Sequence, residues 1–310
     1  MHTRTFTRTR AIAVLLGFAS LLVLIAAPAM ADGRRGPGWD DGRACDGFRD
    51  SRLEIVGLTS DGRLVCFREH RPDRARDLGP IKGLQNEPLV GIDFRVPFTD
   101  PAGVANGVPP TGTLYGLGRN GGVYTIDAKT AVATKKAQLD VVLQGNSFGV
   151  DFNPTVDRLR IVSDTGQNLR ANVVTGATLT DTALNVGGAP ALGITAAGYT
   201  NNDTDPATAT TLYDLDTMLD QLVIQTPPNA GALTPVGALG LDAGPRAGLD
   251  LYSVTNKAGA VSTTVDVRGF AALNVAGTVG LYEIAPFSGR AVFRGSFGSE
   301  VVDIAIPLSQ

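Results

Sequence analysis

Histidine, cysteine and glutamate are scarce in this 310-residue chain, which has two His, two Cys and Glu only at positions 54, 69, 87, 283 and 300. A multi-histidine zinc site is therefore excluded. Two cysteines are too few for a disulfide scaffold or a four-thiolate metal site. His2 lies in an N-terminal leader, so His70, in the polar run Arg68-Glu69-His70-Arg71, is the one candidate for a histidine-dependent triad. No G-x-S-x-G nucleophile elbow occurs. None of the glutamates sits in a distinctive motif that would mark the carboxyl pair of a glycosidase. A long, well-capped helical period is also missing, which leaves strands and turns to build the fold.

The chain is nonetheless rich in core-forming residues: 43% are hydrophobic and 18% charged, the balance of a globular protein. Its 38 Gly point to many turns.

Residues 1–31 read as a secretory signal peptide. Arg4, Arg8 and Arg10 precede the uncharged stretch Ala11 to Ala27, and Pro28 and the small-x-small Ala29-Met30-Ala31 follow it. The rival reading is an uncleaved anchor, for which 17 apolar residues are barely enough. Cleavage leaves 24 basic against 30 acidic residues, a net charge of −6. An acidic chain without a basic stripe is a poor nucleic-acid binder. An extracellular or periplasmic compartment is expected, with no stable membrane span after cleavage. There Cys45 and Cys66 can form a disulfide, worth on the order of 3 kcal/mol for such a loop; two buried thiols or intermolecular pairing are the alternatives. Residues 32–52, rich in Gly, Asp and Arg without an apolar period, read as a mobile tail.

Residues 53–310 carry an internal repeat. An apolar–Asp–apolar core recurs in Gly91-Ile92-Asp93-Phe94, Gly149-Val150-Asp151-Phe152, Gly248-Leu249-Asp250-Leu251 and Val301-Val302-Asp303-Ile304. Gly193-Ile194-Thr195-Ala196 fits the same frame with Thr in place of Asp. A second apolar signature begins at Leu64, Val123, Leu169, Leu222 and Leu281, each time strand-like. Turn residues and further short strands complete each unit. Four strands per unit of roughly 50 residues predict a β-propeller, and five copies of each signature predict five blades. The first copy of the second signature has no inner strand ahead of it, and the last Asp motif has nothing after it. The C-terminal strand should therefore join the N-terminal blade and close the ring. An open solenoid or a sandwich is the alternative.

The inner strands line a propeller's channel, so Asp93, Asp151, Thr195, Asp250 and Asp303 should form a ring there. One reading is an oxygen-ligand set for calcium, the single cofactor the sequence suggests. The other is structural, with each Asp bonding backbone N–H groups and fixing strand register. Other polar features have bland readings beside sharp ones. Asn201-Asn202-Asp203-Thr204-Asp205 lacks the EF-hand pattern and reads as a solvated loop. Arg158, Arg160 and Arg170, near Asp157 and Asp164, suit either an anionic ligand or ion pairs between blades.

The run SFGVDFNPTVDRLRIVSDTGQNLR at 147–170, with LVGIDF at 89–94, TLYDLD at 211–216, QTPPNAGALTPVGALG at 225–240 and GLDLYSV at 248–254, resembles a family of secreted bacterial proteins, domain of unknown function 4394. The resemblance implies an exported, repeat-built β protein and supplies no catalytic residues. The expected function is a monomeric binding or scaffold module for an extracellular or envelope ligand. The alternative is a calcium-dependent hydrolase or lactonase-type enzyme with its site at the channel.

Overall fold

A computed structural model describes residues 52–100, 102–200, 209–258, 261–308 and 310. Residues 1–31, expected as a signal peptide, residues 32–51 of the expected tail, with Cys45, and the acidic segment 201–205 lie outside the described residues.

Five antiparallel four-stranded sheets form the blades of a β-propeller. From hub to rim, blade I is Val301–Ala305, Glu54–Thr59, Arg63–Arg68 and Arg76–Pro80. Blade II is Leu89–Arg95, Thr113–Gly118, Gly122–Asp127 and Val132–Gln138. Blade III is Phe148–Asn153, Arg158–Ser163, Asn168–Ala171 and Thr178–Thr180. Blade IV is Ile194–Tyr199, Leu212–Asp216, Gln221–Gln225 and Leu233–Ala238. Blade V is Ala247–Ala258, Val261–Val275, Thr278–Ile284 and Ala291–Ser296. Blade I therefore takes its innermost strand from the C-terminus, as the order of the repeats requires. Gln310 reinforces the closure: its side chain donates to Glu54 O at 3.0 Å and accepts from Glu54 N at 2.6 Å.

Local sequence explains each unit. Short runs such as Leu64-Val65-Cys66-Phe67 are apolar and partly β-branched, which suits strands buried on both faces. The hairpins turn on residues that accept positive φ. Gly62, at φ +76°, donates its N–H to Thr59 O at 2.9 Å. Gly121, at φ +83°, bonds Gly118 O in the same way.

Side chains from facing sheets meet in five apolar clusters, one in each seam between neighbouring blades. The seam between blades III and IV has the smallest, with nine buried residues against eleven to thirteen in the others. The inner strands pack against one another around a closed hub, the strand of blade I touching those of blades II and V.

Candidate functional site

At the hub, strand pairing sets three aspartates at one level. Asp93 lies opposite Tyr115, Asp151 opposite Arg160 and Asp250 opposite Phe270. All three are buried, at 4–7% exposure. One carboxylate oxygen from each lies within 4.8 Å of the other two. They line a cavity of about 20 Å³ together with Tyr199, Thr200 and an apolar collar that includes Val96, Ile306 and Leu308. That volume suits one ion or one water.

The same carboxylates stitch neighbouring blades together. Asp93 Oδ2 accepts Phe152 N–H of blade III at 2.7 Å. Asp151 accepts the backbone N–H of Tyr199 in blade IV. Asp250 Oδ2 accepts Ile306 N–H, just past the inner strand of blade I, at 2.5 Å. Its Oδ1 accepts Leu251 N–H at 2.6 Å. A carboxylate has about four acceptor sites, so these bonds leave lone pairs for a further partner.

The other two members of the sequence frame are elsewhere. In blade IV a bulge between Ile194 and Ala196 absorbs Thr195, whose hydroxyl lies 3.2 Å from that of Thr217. Beyond the bulge Gly198, opposite Tyr213, holds the position that Asp151 holds in blade III. In blade I Asp303 faces Leu58, as Gly149 faces Val162 in blade III. Asp303 thus sits at the level of the frame's glycines, and its carboxylate is not in the three-oxygen group. It accepts Ile92 N–H at 2.7 Å and Ile304 N–H at 2.9 Å. The glycine frame leaves the space it needs, since a methyl on Gly248 would collide with the Asp303 backbone.

Burial dominates the acid–base behaviour of the hub. Asp93 is pushed up to about 7 by burial, against the pull of the Phe152 and Phe94 N–H groups. Asp151 rises well above the usual carboxylate range through burial and then through the Asp93 and Asp250 charges. Asp250 rises through burial and Asp93, and Asp303 through burial.

In the arginine-rich motif Arg160 and Arg170 make ion pairs, whereas Arg158 donates to the backbone carbonyls of Val156 and Asp157. Arg95 of blade II grips Asp157 in the blade III hairpin with two bonds, at 2.8 and 2.6 Å. Arg160 bonds Asp181 at 2.7 Å, and Arg170 bonds the same carboxylate at 2.7 and 2.9 Å. The arginines stand out in the sequence, but Asp181 stands in no motif, and nothing in TLYDLD at 211–216 signals the burial of Asp214. Cys66 is fully buried in blade I; its expected partner Cys45 lies outside the described residues.

No curated protein matches the chain. Among solved structures, a chain of a nidogen/laminin complex aligns over 84% of this chain and 100% of its own length, with 10% identity and a TM-score of 0.47. A glutaminyl cyclase from Myxococcus xanthus aligns over 84% and 98%, with 11% identity and a TM-score of 0.38. BamB from Moraxella catarrhalis aligns over 78% and 70%, with 11% identity and a TM-score of 0.28. Likeness this remote transfers no function. The sequence profile of the domain of unknown function DUF4394 matches residues 63–305, most of the propeller, and the chain belongs to that family.

Proposed function

We propose that the protein is an exported binding or scaffold module whose hub holds one divalent cation, calcium by its ligand chemistry, between Asp93, Asp151 and Asp250. The observation that carries this reading is the meeting of three buried carboxylates within 4.8 Å. Calcium–oxygen distances are about 2.3–2.6 Å, so a single ion can reach one oxygen of each. Three buried ionised carboxylates repel unless a cation or protons offset them. The ligand set is all oxygen, which favours a hard ion. Backbone N–H groups already hold the carboxylates in place, so little ordering remains to be done on binding.

A cavity of about 20 Å³ admits an ion but not an organic substrate. This supports binding or scaffolding over the hydrolase or lactonase alternative. Export is supported by the leader pattern and by the cysteines. The chain has two cysteines, Cys45 and Cys66, and Cys66 is buried in blade I. A Cys45–Cys66 bridge suits an oxidising compartment.

Calorimetric titration of calcium into chelator-treated protein tests the reading. One equivalent should bind, and Asp151→Asn should weaken binding by about ten-fold or more, as the loss of a charged ligand implies. Absence of binding by the folded wild type overturns it.

A further inference from the structure

The seam between blades III and IV combines the smallest apolar cluster with a buried polar network. Arg160 donates to Asn168 Oδ1 at 2.7 Å, Asp181 Oδ2 at 2.7 Å, Asn229 Oδ1 at 2.9 Å and the Tyr199 hydroxyl at 3.3 Å. Gln225 Nε2 donates to Asn168 Oδ1 at 3.2 Å and to Pro228 O at 2.6 Å. Asn168 Nδ2 donates to Thr182 O and Pro228 O, each at 3.0 Å.

Two fully buried side chains leave this network incomplete. Both oxygens of Asp214, at 0% exposure, have no hydrogen-bond partner among the described residues. Gln225, at 1%, has an unpartnered Oε1. Asp214 pairs with Val223, and Gln225 lies two residues further on the same strand face. Asp214 and Gln225 are thus diagonal cross-strand neighbours, with Cβ atoms about 7–8 Å apart and within reach of a long side chain. A carboxylate and an amide oxygen are both acceptors, so neither satisfies the other. One proton on Asp214 makes it a donor and satisfies an orphaned atom on each side.

We propose that Asp214 is carried as the neutral acid, that its proton is donated to Gln225 Oε1, and that this bond makes the seam between blades III and IV a pH-sensitive joint that loosens as pH rises. The charged group that acts on Asp214 is Arg160, across the seam; Arg160 in turn bonds Asp181 and the Tyr199 hydroxyl. The Arg160 charge is paired with Asp181, and its donors are engaged elsewhere. Burial pushes Asp214 up to about 8, while Arg160 pulls it the other way. The native state therefore holds this proton more tightly than the unfolded chain. The stability it contributes is complete below the ordinary carboxylate range and is lost as pH rises towards about 8.

Infrared difference spectra of the wild type and Asp214→Asn test the proposal. At neutral pH the wild type should show a protonated-carboxyl band that Asp214→Asn lacks and that disappears on titration through about 8. Hydrogen exchange in Asn168–Ala171 and Leu212–Asp216, corrected for the intrinsic rate, should rise by up to about ten-fold per pH unit from the ordinary carboxylate range towards about 8 and level off above it. Asp214→Asn keeps an N–H donor and should remove Asp214's share of the rise, leaving that of the hub carboxylates. Asp214→Leu, which cannot ionise, should do the same and covers the case in which the Asn variant folds poorly. Absence of the band from the wild type, or the same exchange profile in wild type and variants, overturns the proposal.

Discussion

Asp93 of blade II accepts the backbone N–H of Phe152 in blade III at 2.7 Å while the same carboxyl group faces Asp151 and Asp250 across the hub. One side chain thus takes part in two relationships. The bond to Phe152 fixes the register of two inner strands. Its placement among two further carboxylates gives the hub its charge. The ion-binding and register-fixing readings of the repeated Asp are compatible, because a carboxylate has more acceptor sites than one N–H can use.

Asp303 separates these roles, since it latches blades without joining the three-oxygen group. Asp303→Ala should orphan the N–H groups of Ile92 and Ile304. At about 1–3 kcal/mol for each buried unsatisfied group, the expected destabilisation is about 2–6 kcal/mol in denaturant titration. Calcium affinity per folded molecule should change little.

The hub carboxylates predict a pH dependence with a definite sign. Burial raises Asp93 to about 7, and Asp151 and Asp250 also rise. The native state then binds more protons than the unfolded chain, so cation-free protein should lose stability as pH rises from about 4 towards 7. Calcium should restore the melting temperature most at the neutral end, where the carboxylates are ionised. Melting curves across that range, with chelator and with calcium, check both effects.

The glycine before each hub Asp should tolerate no side chain. A methyl on Gly248 would strike the Asp303 backbone, and one on Gly149 would strike the backbone of Ala196 and Ala197. These contacts involve main chain rather than flexible side-chain ends. Gly248→Ala should cost about 3 kcal/mol or more by overpacking, and loosen the junction of blades V and I. Chemical denaturation and hydrogen exchange at Val301–Ala305 would show it.

Much of this architecture was legible because repetition exposes it. The apolar–Asp–apolar frame, a second apolar run and turn residues recur often enough to yield five blades and C-terminal closure. The hub layering was not legible. A one-residue bulge between Ile194 and Ala196 carries no compositional signal, yet it moves Thr195 out of frame and puts Gly198 in the Asp position. The pairing of Asp303 with Leu58, which puts Asp303 at the level of the frame's glycines, is equally silent in the sequence. Arg95, Arg160 and Asp157 are visible as charges, but their partners are set by blade packing rather than by spacing along the chain.

The Arg95–Asp157 pair supplies a further check. Both side chains are largely buried, at 6% and 10% exposure, and two bonds join them. Asp157→Ala leaves a buried guanidinium unpaired and should cost about 3–5 kcal/mol. Replacing both residues with apolar ones should recover much of that loss. A double-mutant cycle in urea measures the difference.

Anomalous diffraction from crystals grown with manganese, a hard divalent stand-in for calcium, tests the hub most directly. One anomalous peak bounded by Asp93, Asp151 and Asp250 is expected, and it should disappear in Asp151→Asn crystals grown in the same way. Carboxylates bonded only to backbone N–H groups, with no peak among them at saturating metal, would contradict it.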